Sequence, residues 1–320
     1  MTAPVLALCG GVGGAKLALG LERLLGDDLL IAVNTGDDFE HLGLKVCPDI
    51  DTVTYTLAGI VNTSTGWGRD NESGHCMEAL QQFGGEDWFF LGDRDLALHL
   101  ERSRLLKQGD SLSEVTQRFA QMLGIKAQLL PMCDQPAPTT VLTERGSLPF
   151  QHYFVRERCE PVVQGLQYGG AKSTSHTLLQ EIITSGVDGF PVRAIVICPS
   201  NPYLSIDPLL ILPGIRQSLV ETDVPVIAVS PIVGGEALKG PTAKIMMEMG
   251  LEVSSASIAA HYRDFLDCLV IDHGDYGECK AIAEHVPHVE LAATMMNSDA
   301  DKDALARRVL EIAETLNQRK

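Results

Sequence analysis

The sequence contains no uninterrupted apolar run of the roughly 18 residues that a membrane-spanning helix requires. It is also poor in basic residues: Lys and Arg number 25 against 42 Asp and Glu, a formal net charge of −17. Because proteins bind polyanions through clustered Lys and Arg, we expect neither a membrane nor a nucleic-acid partner. A small phosphorylated ligand stays compatible with this charge if a divalent metal lies between carboxylates and phosphates.

Several common functional patterns are missing. The eight cysteines are scattered singly, without a C-x-x-C pair or zinc spacing, and the nine histidines form no H-E-x-x-H motif. No G-x-S-x-G elbow is present, which argues against a serine hydrolase. No basic region precedes the short N-terminal apolar run, so we expect no signal peptide and a cytoplasmic protein with reduced thiols.

What the sequence does contain is a glycine-rich string, Cys9–Lys16, directly after the apolar run Pro4–Leu8. An amphipathic stretch follows, and this order predicts a strand, a glycine-rich turn and a helix. Glycines let a backbone approach a ligand closely, and a helix N-terminus favours anions. A tight turn without a ligand is the alternative. We predict a phosphate site formed by Gly10, Gly11, Gly13, Gly14 and Lys16.

This string fits neither standard phosphate motif. A P-loop requires Gly-Lys-Ser/Thr, but Ala15 separates Gly14 from Lys16 and Leu17 follows. The dinucleotide fingerprint requires a small residue where Lys16 stands. The predicted phosphate site is therefore of an unfamiliar kind.

Short apolar runs alternate with helical patterns along much of the chain. This alternation predicts an α/β fold with a Rossmann-like, mostly parallel sheet flanked by helices. We predict one domain over residues 1–320, with a core formed by residues 1–60 and 190–320. The expected core elements after the first strand and helix are a strand at Leu29–Asn34, a helix over residues 50–60, strands at Ala194–Cys198, Val226–Val229 and Cys268–Asp272, and a closing helix at Lys302–Leu316.

Residues 61–189, approximately, are predicted to form an insertion. Its first part is helical, with Asp93–Lys107 and Ser111–Leu123 as helices and a capping box of Ser111 and Glu114. Its second part carries β-forming patterns that predict an antiparallel region. The expected strands are Lys126–Leu130, Thr139–Thr143, Gln151–Arg156 and Val162–Tyr168.

Four strand ends carry unusual polar sequences: Gly10–Gly14, Thr35–Asp38, Pro199–Pro202 and Ser230–Pro231. In open α/β sheets, ligands bind beyond the carboxyl ends of the strands, near the point where the strand order reverses. We therefore expect these sequences to outline one crevice. Ser200 and Asn201 are the candidates for recognising a nucleobase or sugar there, with an ordinary turn as the alternative.

An acidic group lies on both sides of a predicted loop, at Asp37, Asp38, Asp49 and Asp51. Magnesium usually takes one or two carboxylate oxygens together with substrate phosphates, so these residues are candidate ligands. A turn role for Asp38 and a helix-capping role for Asp49 are the alternatives. Arg94, in the string Gly92-Asp93-Arg94-Asp95, offers a planar fork suited to a phosphate or a ring carbonyl.

Taken together and in order, these strings resemble the 2-phospho-L-lactate transferases (the CofD family) of coenzyme F-420 biosynthesis, over nearly the whole chain. The strings that carry the resemblance are Cys9–Lys16, Asn34–Asp38, Cys47–Thr52, Gly66–Gly68, Gly92–Asp95, Leu130–Met132, Pro199–Pro202, Leu212–Gly214 and Val229–Ile232.

The resemblance implies a homodimer and a Mg²⁺-dependent transfer. A guanosine-diphosphate-linked hydroxyacid donor (phospholactyl, phosphoenolpyruvyl or phosphoglyceryl) would give its phospho-acid group to the ribityl hydroxyl of the deazaflavin FO, and GMP would leave. By matching motif, Asp49 and Arg94 would contact FO, and Gly10–Gly14 would line the phosphates. We expect Asp49 and Asp38 as catalytic residues, and Asp37, Asp38 and Asp49 as metal ligands.

Two other functions compete with the transferase. A related regulator without enzymatic activity, of the gluconeogenesis-factor type, would bind a nucleotide sugar in the same crevice. The strings Gly92–Asp95 and Pro48–Thr52 favour the transferase over it. An NAD-dependent dehydrogenase is disfavoured by Lys16 and by the lack of a suitable single acid closing the second strand.

Overall fold

The computed structural model describes residues 3–172, 178–187, 189–237 and 240–318. Strands and helices are numbered in chain order. The strands of this described part are β1 (Val5–Cys9), β2 (Leu29–Val33), β3 (Phe39–His41), β4 (Leu44–Val46), β5 (Gln128–Pro131), β6 (Thr139–Thr143), β7 (Gly146–Pro149), β8 (Val163–Tyr168), β9 (Ala194–Ile197), β10 (Val226–Val229), β11 (Ile232–Val233), β12 (Glu236–Ala237), β13 (Cys268–Asp272) and β14 (His288–Ala292).

Helices flank the strands on both faces of the main sheet. The α-helices of the described residues are α1 (Gly11–Leu25), α2 (Pro48–Leu57), α3 (His75–Gln82), α4 (Asp93–Gln108), α5 (Leu112–Met122), α6 (Leu178–Ser185), α7 (Asp207–Leu210), α8 (Ile215–Glu221), α9 (Thr242–Glu248), α10 (Ser255–Tyr262), α11 (Cys279–Ile282) and α12 (Asp299–Asn317). Short 3₁₀ or π-helical turns occupy Gly26–Asp28, His152–Arg156, Gly169–Lys172, Pro202–Ile206 and His273–Glu278. No helix in the described residues is long and apolar enough to cross a membrane.

Seven strands form one parallel sheet in the order β14-β13-β10-β9-β1-β2-β5. The predicted α/β class with a mostly parallel sheet is therefore confirmed. The chain starts in the middle at β1, proceeds through β2 to β5, and later crosses to β9 on the other side of β1. The strand order thus reverses between β1 and β9, and that is where such sheets bind ligands.

The alternation of side chains along β1 divides the core into two layers, because successive residues of a strand point to opposite faces. Leu6 and Leu8 pack with one buried cluster, and Val5, Ala7 and Cys9 pack with the other. The second cluster includes the inward faces of α1, α2 and α12. This packing fixes the start of α1 and the start of α2 against the same edge of the sheet.

Two strand predictions in the insertion are wrong. The segment predicted at Lys126–Leu130 forms β5, but it pairs parallel with β2 at the edge of the main sheet instead of joining an antiparallel region. Gln151–Arg156 is helical, with a π turn at His152–Arg156. Its β-forming residues Tyr153, Phe154 and Val155 favour a strand, but Phe150 and Phe154 stack 5.5 Å apart as helical i, i+4 neighbours.

Other details of the insertion agree with the sequence. Strands β6, β7 and β8 form an antiparallel sheet. Helices α4 and α5 lie where they were predicted, and Ser111 and Glu114 form the predicted capping box. In the core, the helix expected over residues 50–60 is α2, which ends at Leu57 and begins earlier, at Pro48, because proline is well suited to a first helical turn.

Candidate active site

The strand ends that flank the reversal of strand order are in close contact. A Cβ atom added at Gly13 would lie 2.4 Å from the Pro199 carbonyl oxygen, and one added at Gly10 would lie 2.5 Å from Asp49 Oδ2. Real Cβ atoms do not approach other atoms so closely, so the glycines are required for this packing. Ser200 Oγ accepts a hydrogen bond from the Gly10 amide at 3.1 Å. The polar sequences after β1 and β9 are therefore in direct contact, as expected for two sides of one crevice.

The glycine string differs from the expected turn in one respect. Helix α1 already begins at Gly11, so Gly13 and Gly14 belong to its first helical turn rather than to a loop. A single extended residue, Gly10, connects β1 to the helix. Because the first amides of a helix have no acceptor within the helix, this short connection presents them directly at the carboxyl edge of the sheet.

Asp49 lies against this helix start although it belongs to α2. Its Oδ1 accepts the Gly11 amide at 2.8 Å, its Oδ2 accepts Asn34 Nδ2 at 2.9 Å, and the Ser205 hydroxyl is a further donor. Asp49 is 5% exposed. Burial raises the pKa of its carboxyl, while these three neutral donors oppose the rise. The carboxylate therefore caps α1, not its own helix.

Asp37 and Asp49 both accept hydrogen bonds from the side-chain amide of Asn34. Asn34 Nδ2 donates to Asp37 Oδ1 at 3.1 Å as well as to Asp49, and Asn34 Oδ1 accepts the Gly36 amide at 2.7 Å. Burial, followed by the nearby charge of Asp49, raises the pKa of Asp37 well above its usual value. Two buried carboxylates thus meet at one amide group. Such a pair favours the uptake of a proton or a cation.

Asp38 lies beside a lysine instead of the neutral donors that surround Asp37 and Asp49. Lys45 Nζ lies 3.0 Å from Asp38 Oδ2, but neither carboxylate oxygen accepts a well-aligned hydrogen bond. Burial raises the pKa of Asp38 to about 6, against the opposing effect of the Lys45 ammonium. The structure therefore gives Asp38 a cationic neighbour, in contrast to the neutral donors around Asp37 and Asp49.

The fourth acid, Asp51, forms a buried ion pair. Both nitrogens of the Arg102 fork contact its carboxylate, Nη1 at 3.1 Å and Nη2 more closely. Arg102 is 2% exposed. The charge of Asp51 is therefore neutralised inside the protein, and its side chain faces α4 instead of the start of α1.

The string Gly92–Asp95 begins α4, and most of its polar groups are used within the protein. Glu72 accepts the amides of Arg94 and Asp95 at 2.8 and 2.7 Å. Asp93 accepts the amides of His75 and Cys76, so it caps α3 rather than its own helix. The Arg94 side chain is exposed and forms no hydrogen bond or ion pair with the described residues. Its guanidinium is available to a ligand.

Two further predicted binding residues have contacts inside the protein. Lys16 Nζ donates to the Met296 carbonyl at 2.9 Å. Asn201 Oδ1 accepts the amides of Tyr203 and Leu204, so it caps the turn Pro202–Ile206. Nucleotide binding by either residue stays a prediction.

The acidic residues differ in how well they fit a metal ion. Within the described residues, no three His, Cys, Asp or Glu side chains form a ready-made metal cluster. Magnesium does not need one, since it usually keeps several waters and takes one or two carboxylates plus phosphate oxygens. The buried Asp37 and Asp49, surrounded by neutral donors, fit such a partial site better than Asp38 beside Lys45.

A cleft of about 500 Å³ lies in another part of the molecule. Arg216, at the start of α8, contributes to it, as do His261 at the end of α10 and Asp264 just after this helix. None of the predicted site residues lines it. The crevice predicted at the strand ends therefore depends on the buried acids and the helix start, and no volume is assigned to it.

The sequence did not single out three residues that organise this region. Asn34 joins Asp37 to Asp49, Ser205 is a donor to Asp49, and Arg102 neutralises Asp51. Asn34 could have been found because it directly follows a buried strand and precedes two acids. Nothing near Ser205 or Arg102 in the sequence indicates their distant partners.

Comparison with known proteins decides the family. The family model of the 2-phospho-L-lactate transferase CofD matches residues 5–313. The chain belongs to the CofD family of transferases. It is 37% identical to a phosphoenolpyruvate transferase of Streptomyces griseus, covering 97% of this chain and 98% of that protein. It is 36% identical to a 2-phospho-L-lactate transferase of Methanosarcina mazei, with 96% and 99% covered.

Solved structures show the same fold at lower identity. The protein BH3568 of Bacillus halodurans, a member of the UPF0052 family, has a TM-score of 0.62 and 14% identity, with 98% of this chain and 99% of that chain covered. This likeness concerns the fold alone. The transferase assignment of this CofD-family chain excludes the dehydrogenase and disfavours the regulator considered from the sequence.

Proposed function

We propose that this protein transfers a phospho-hydroxyacid group from a guanosine-diphosphate-linked donor to the ribityl hydroxyl of the deazaflavin FO, releasing GMP in a Mg²⁺-dependent reaction. The observation that carries the proposal is the pair of buried carboxylates, Asp37 and Asp49, that share the Asn34 amide beside the start of α1. Phosphoryl-type transfer depends on positioning and charge neutralisation more than on a covalent nucleophile, and this arrangement suits it.

The helix start and the acids have complementary roles. The first-turn amides of Val12 and Gly13 have no acceptor earlier in α1, and such amides favour a phosphate group. The Asp49 carboxylate already lies beside them, so a diphosphate there would meet a like charge. A magnesium ion held by Asp37 and Asp49, with Asp38 as the third predicted ligand, would supply charge neutralisation on the diphosphate.

The transfer balances without a covalent enzyme intermediate. The ribityl oxygen forms a bond to the phosphorus that carries the acid, and the bond from this phosphorus to the bridging oxygen breaks. GMP leaves with that oxygen. Asp49 orients the attacking hydroxyl and accepts its proton, with Asp38 as the second proton acceptor. Arg94 binds the acceptor, whereas Ser200 and Asn201 line the guanosine side.

The direct test incubates the protein with FO, Mg²⁺ and each guanylylated acid in turn. We expect GMP release and a new deazaflavin phosphodiester, whose mass identifies phospholactate, phosphoenolpyruvate or phosphoglycerate as the preferred donor. Asp49→Ala should remove the activity, while the exposed Asp27→Ala serves as the control. Full activity of Asp49→Ala would remove Asp49 from the mechanism. The lack of product with all three donors would refute the function.

The resemblance-based expectations of a homodimer and a cytoplasmic location are part of this proposal. Sedimentation equilibrium of the full chain should give the mass of two copies. A monomer that is fully active would refute the dimer without affecting the chemistry.

A further inference from the structure

The two residues assigned to the acceptor lie on different helices. Asp49 is in the first turn of α2, and Arg94 is in the first turn of α4. Their separation therefore depends on how these two helices are held together.

Buried polar side chains form the contact between the helices. On α4, Asp95, His99 and Arg102 follow each other at spacings of four and three residues, which places them on one face. On α2, Asp51 and Tyr55 are four residues apart and also share a face. The two faces are directed towards each other.

Three cross-helix contacts join these faces. The Tyr55 hydroxyl donates a short hydrogen bond to Asp95 Oδ1. Arg102 binds Asp51 with both nitrogens of its fork, and His99 Nδ1 lies 3.7 Å from Asp51 Oδ2. The other ring nitrogen, His99 Nε2, lies 3.4 Å from Asp95 Oδ1. The imidazole therefore lies between the acids of the two helices.

The network is largely internal, although the Asp95 side chain is 16% exposed. Tyr55 and His99 are 1% exposed, and Arg102 is 2% exposed. Buried charged groups are a costly way to join two helices, since apolar packing of similar volume is often as stable. Their directional contacts do specify one relative position of α2 and α4 more narrowly than apolar packing does.

We propose that Tyr55, Asp95 and His99, together with the pair Asp51–Arg102, are positioning residues that set the separation of Asp49 and Arg94. They thereby set the width of the acceptor site. The identity of the acceptor rests on the proposed function, whereas the fixed geometry of the two helices does not.

The experiment removes one hydroxyl. Tyr55→Phe deletes the hydrogen bond to Asp95 and keeps the ring, so the fold should be retained. Tyr153→Phe is the matched control, because this buried hydroxyl lies 3.4 Å from Lys244 instead of joining α2 to α4. We expect Tyr55→Phe to raise the KM for FO by about tenfold and to leave the KM for the guanylylated donor unchanged. The control should change neither constant.

A second readout does not depend on catalysis. Hydrogen–deuterium exchange of the amides in residues 94–97 should be about tenfold faster in Tyr55→Phe than in Tyr153→Phe, because the start of α4 loses a tether. Arg102→Lys, which keeps the charge but loses the fork, should act in the same direction. Equal exchange in the two tyrosine variants, or equal changes in both KM values, would overturn the positioning role. A wild-type protein that forms no product would refute the proposed function, and the exchange result would still decide the positioning role.

Discussion

Asp49 and Asp51 lie two residues apart in the first turn of one helix, yet their surroundings differ in kind. Asp51 is neutralised by the buried fork of Arg102. Asp49 accepts hydrogen bonds from three neutral donors: Asn34, the Gly11 amide and Ser205. One acid is therefore balanced by the protein itself, and the other is balanced only when a proton or a cation joins it.

This difference assigns Asp51 to the scaffold of the protein and Asp49 to the candidate site. A charge paired inside the chain fixes the relation of two helices and has no capacity left for a ligand. A buried carboxylate beside a second one, as at Asp37 and Asp49, carries a free-energy cost that a bound cation would relieve. The comparison also applies to the arginines, since Arg102 is buried in a pair and Arg94 is exposed.

The largest expected effect is on stability, at Asp51. Asp51→Asn leaves the buried Arg102 charge without its anion, so the free energy of unfolding should fall by about 3–5 kcal/mol. Urea denaturation measures this. Asp303→Asn is the control, because its pair with Arg23 is at the surface and should contribute less than about 1 kcal/mol. A loss at Asp51 as small as the control would contradict the scaffold role.

Asp37 should show the opposite pattern. Asp37→Asn keeps an oxygen that accepts from Asn34 and removes the repulsion from Asp49. We expect the transfer rate to fall by about 100-fold, or about 2.7 kcal/mol, while stability changes by less than about 1 kcal/mol. GMP release and urea denaturation are measured on the same samples. A stable variant with the wild-type rate at limiting Mg²⁺ would exclude Asp37 from the metal site.

Substitution of Arg94 should have a smaller effect, on substrate binding alone, in contrast to the structural role of Arg102. Arg94→Ala should raise the KM for FO by about tenfold and leave the melting temperature unchanged, because its exposed guanidinium forms no hydrogen bond or ion pair with the described residues. Steady-state kinetics with each substrate varied in turn provides the measurement. An unchanged KM for FO would show that Arg94 does not bind the acceptor.

The smallest expected effect is a pH dependence of stability. Folding raises the pKa of Asp37 and Asp49, and that of Asp38 to about 6. The folded protein then binds protons more tightly than the unfolded chain, so these groups lower stability as the pH rises from about 4 through their folded pKa values. The melting temperature of Asp37→Asn relative to wild type should therefore increase from about pH 5 to about pH 8, as differential scanning calorimetry can show.

Added Mg²⁺ should reduce this difference in melting temperature. The ion stabilises the ionised carboxylate pair of the wild type, whereas Asp37→Asn has lost one of the proposed ligands. If the melting temperatures of the wild type and of Asp37→Asn change in parallel with pH, both with and without Mg²⁺, the environment assigned to Asp37 is contradicted.

The sequence was sufficient for the order of the main elements and for the meeting of the polar sequences after β1 and β9 at one edge of the sheet. Local patterns determine these features: buried β-forming runs, the glycines after β1 and the polar turn after β9. The parallel pairing of β5 could not be predicted, because its partner β2 is about a hundred residues away and the segment itself is short. For Gln151–Arg156, the β-forming residues Tyr153, Phe154 and Val155 favoured a strand, whereas the stack of Phe150 on Phe154 belongs to a helical turn.

The candidate site was predictable by residue type but not by partner. The acids were evident, whereas the division into a neutralised Asp51 and an uncompensated Asp49 depends on Arg102, fifty-one residues away in the chain. The role of Asp93 shows the same limit, since it caps α3, which begins eighteen residues earlier in the chain. Asn201, in contrast, caps the turn that directly follows it, which is the alternative that its local sequence offered.

The most direct test is a crystal structure with GDP and Mn²⁺, in which anomalous scattering locates the metal. The account predicts one manganese ion bound by Asp37 or Asp49, with the diphosphate against the first turn of α1. A nucleotide and metal bound elsewhere, for example in the cleft beside Arg216 and His261, would contradict it.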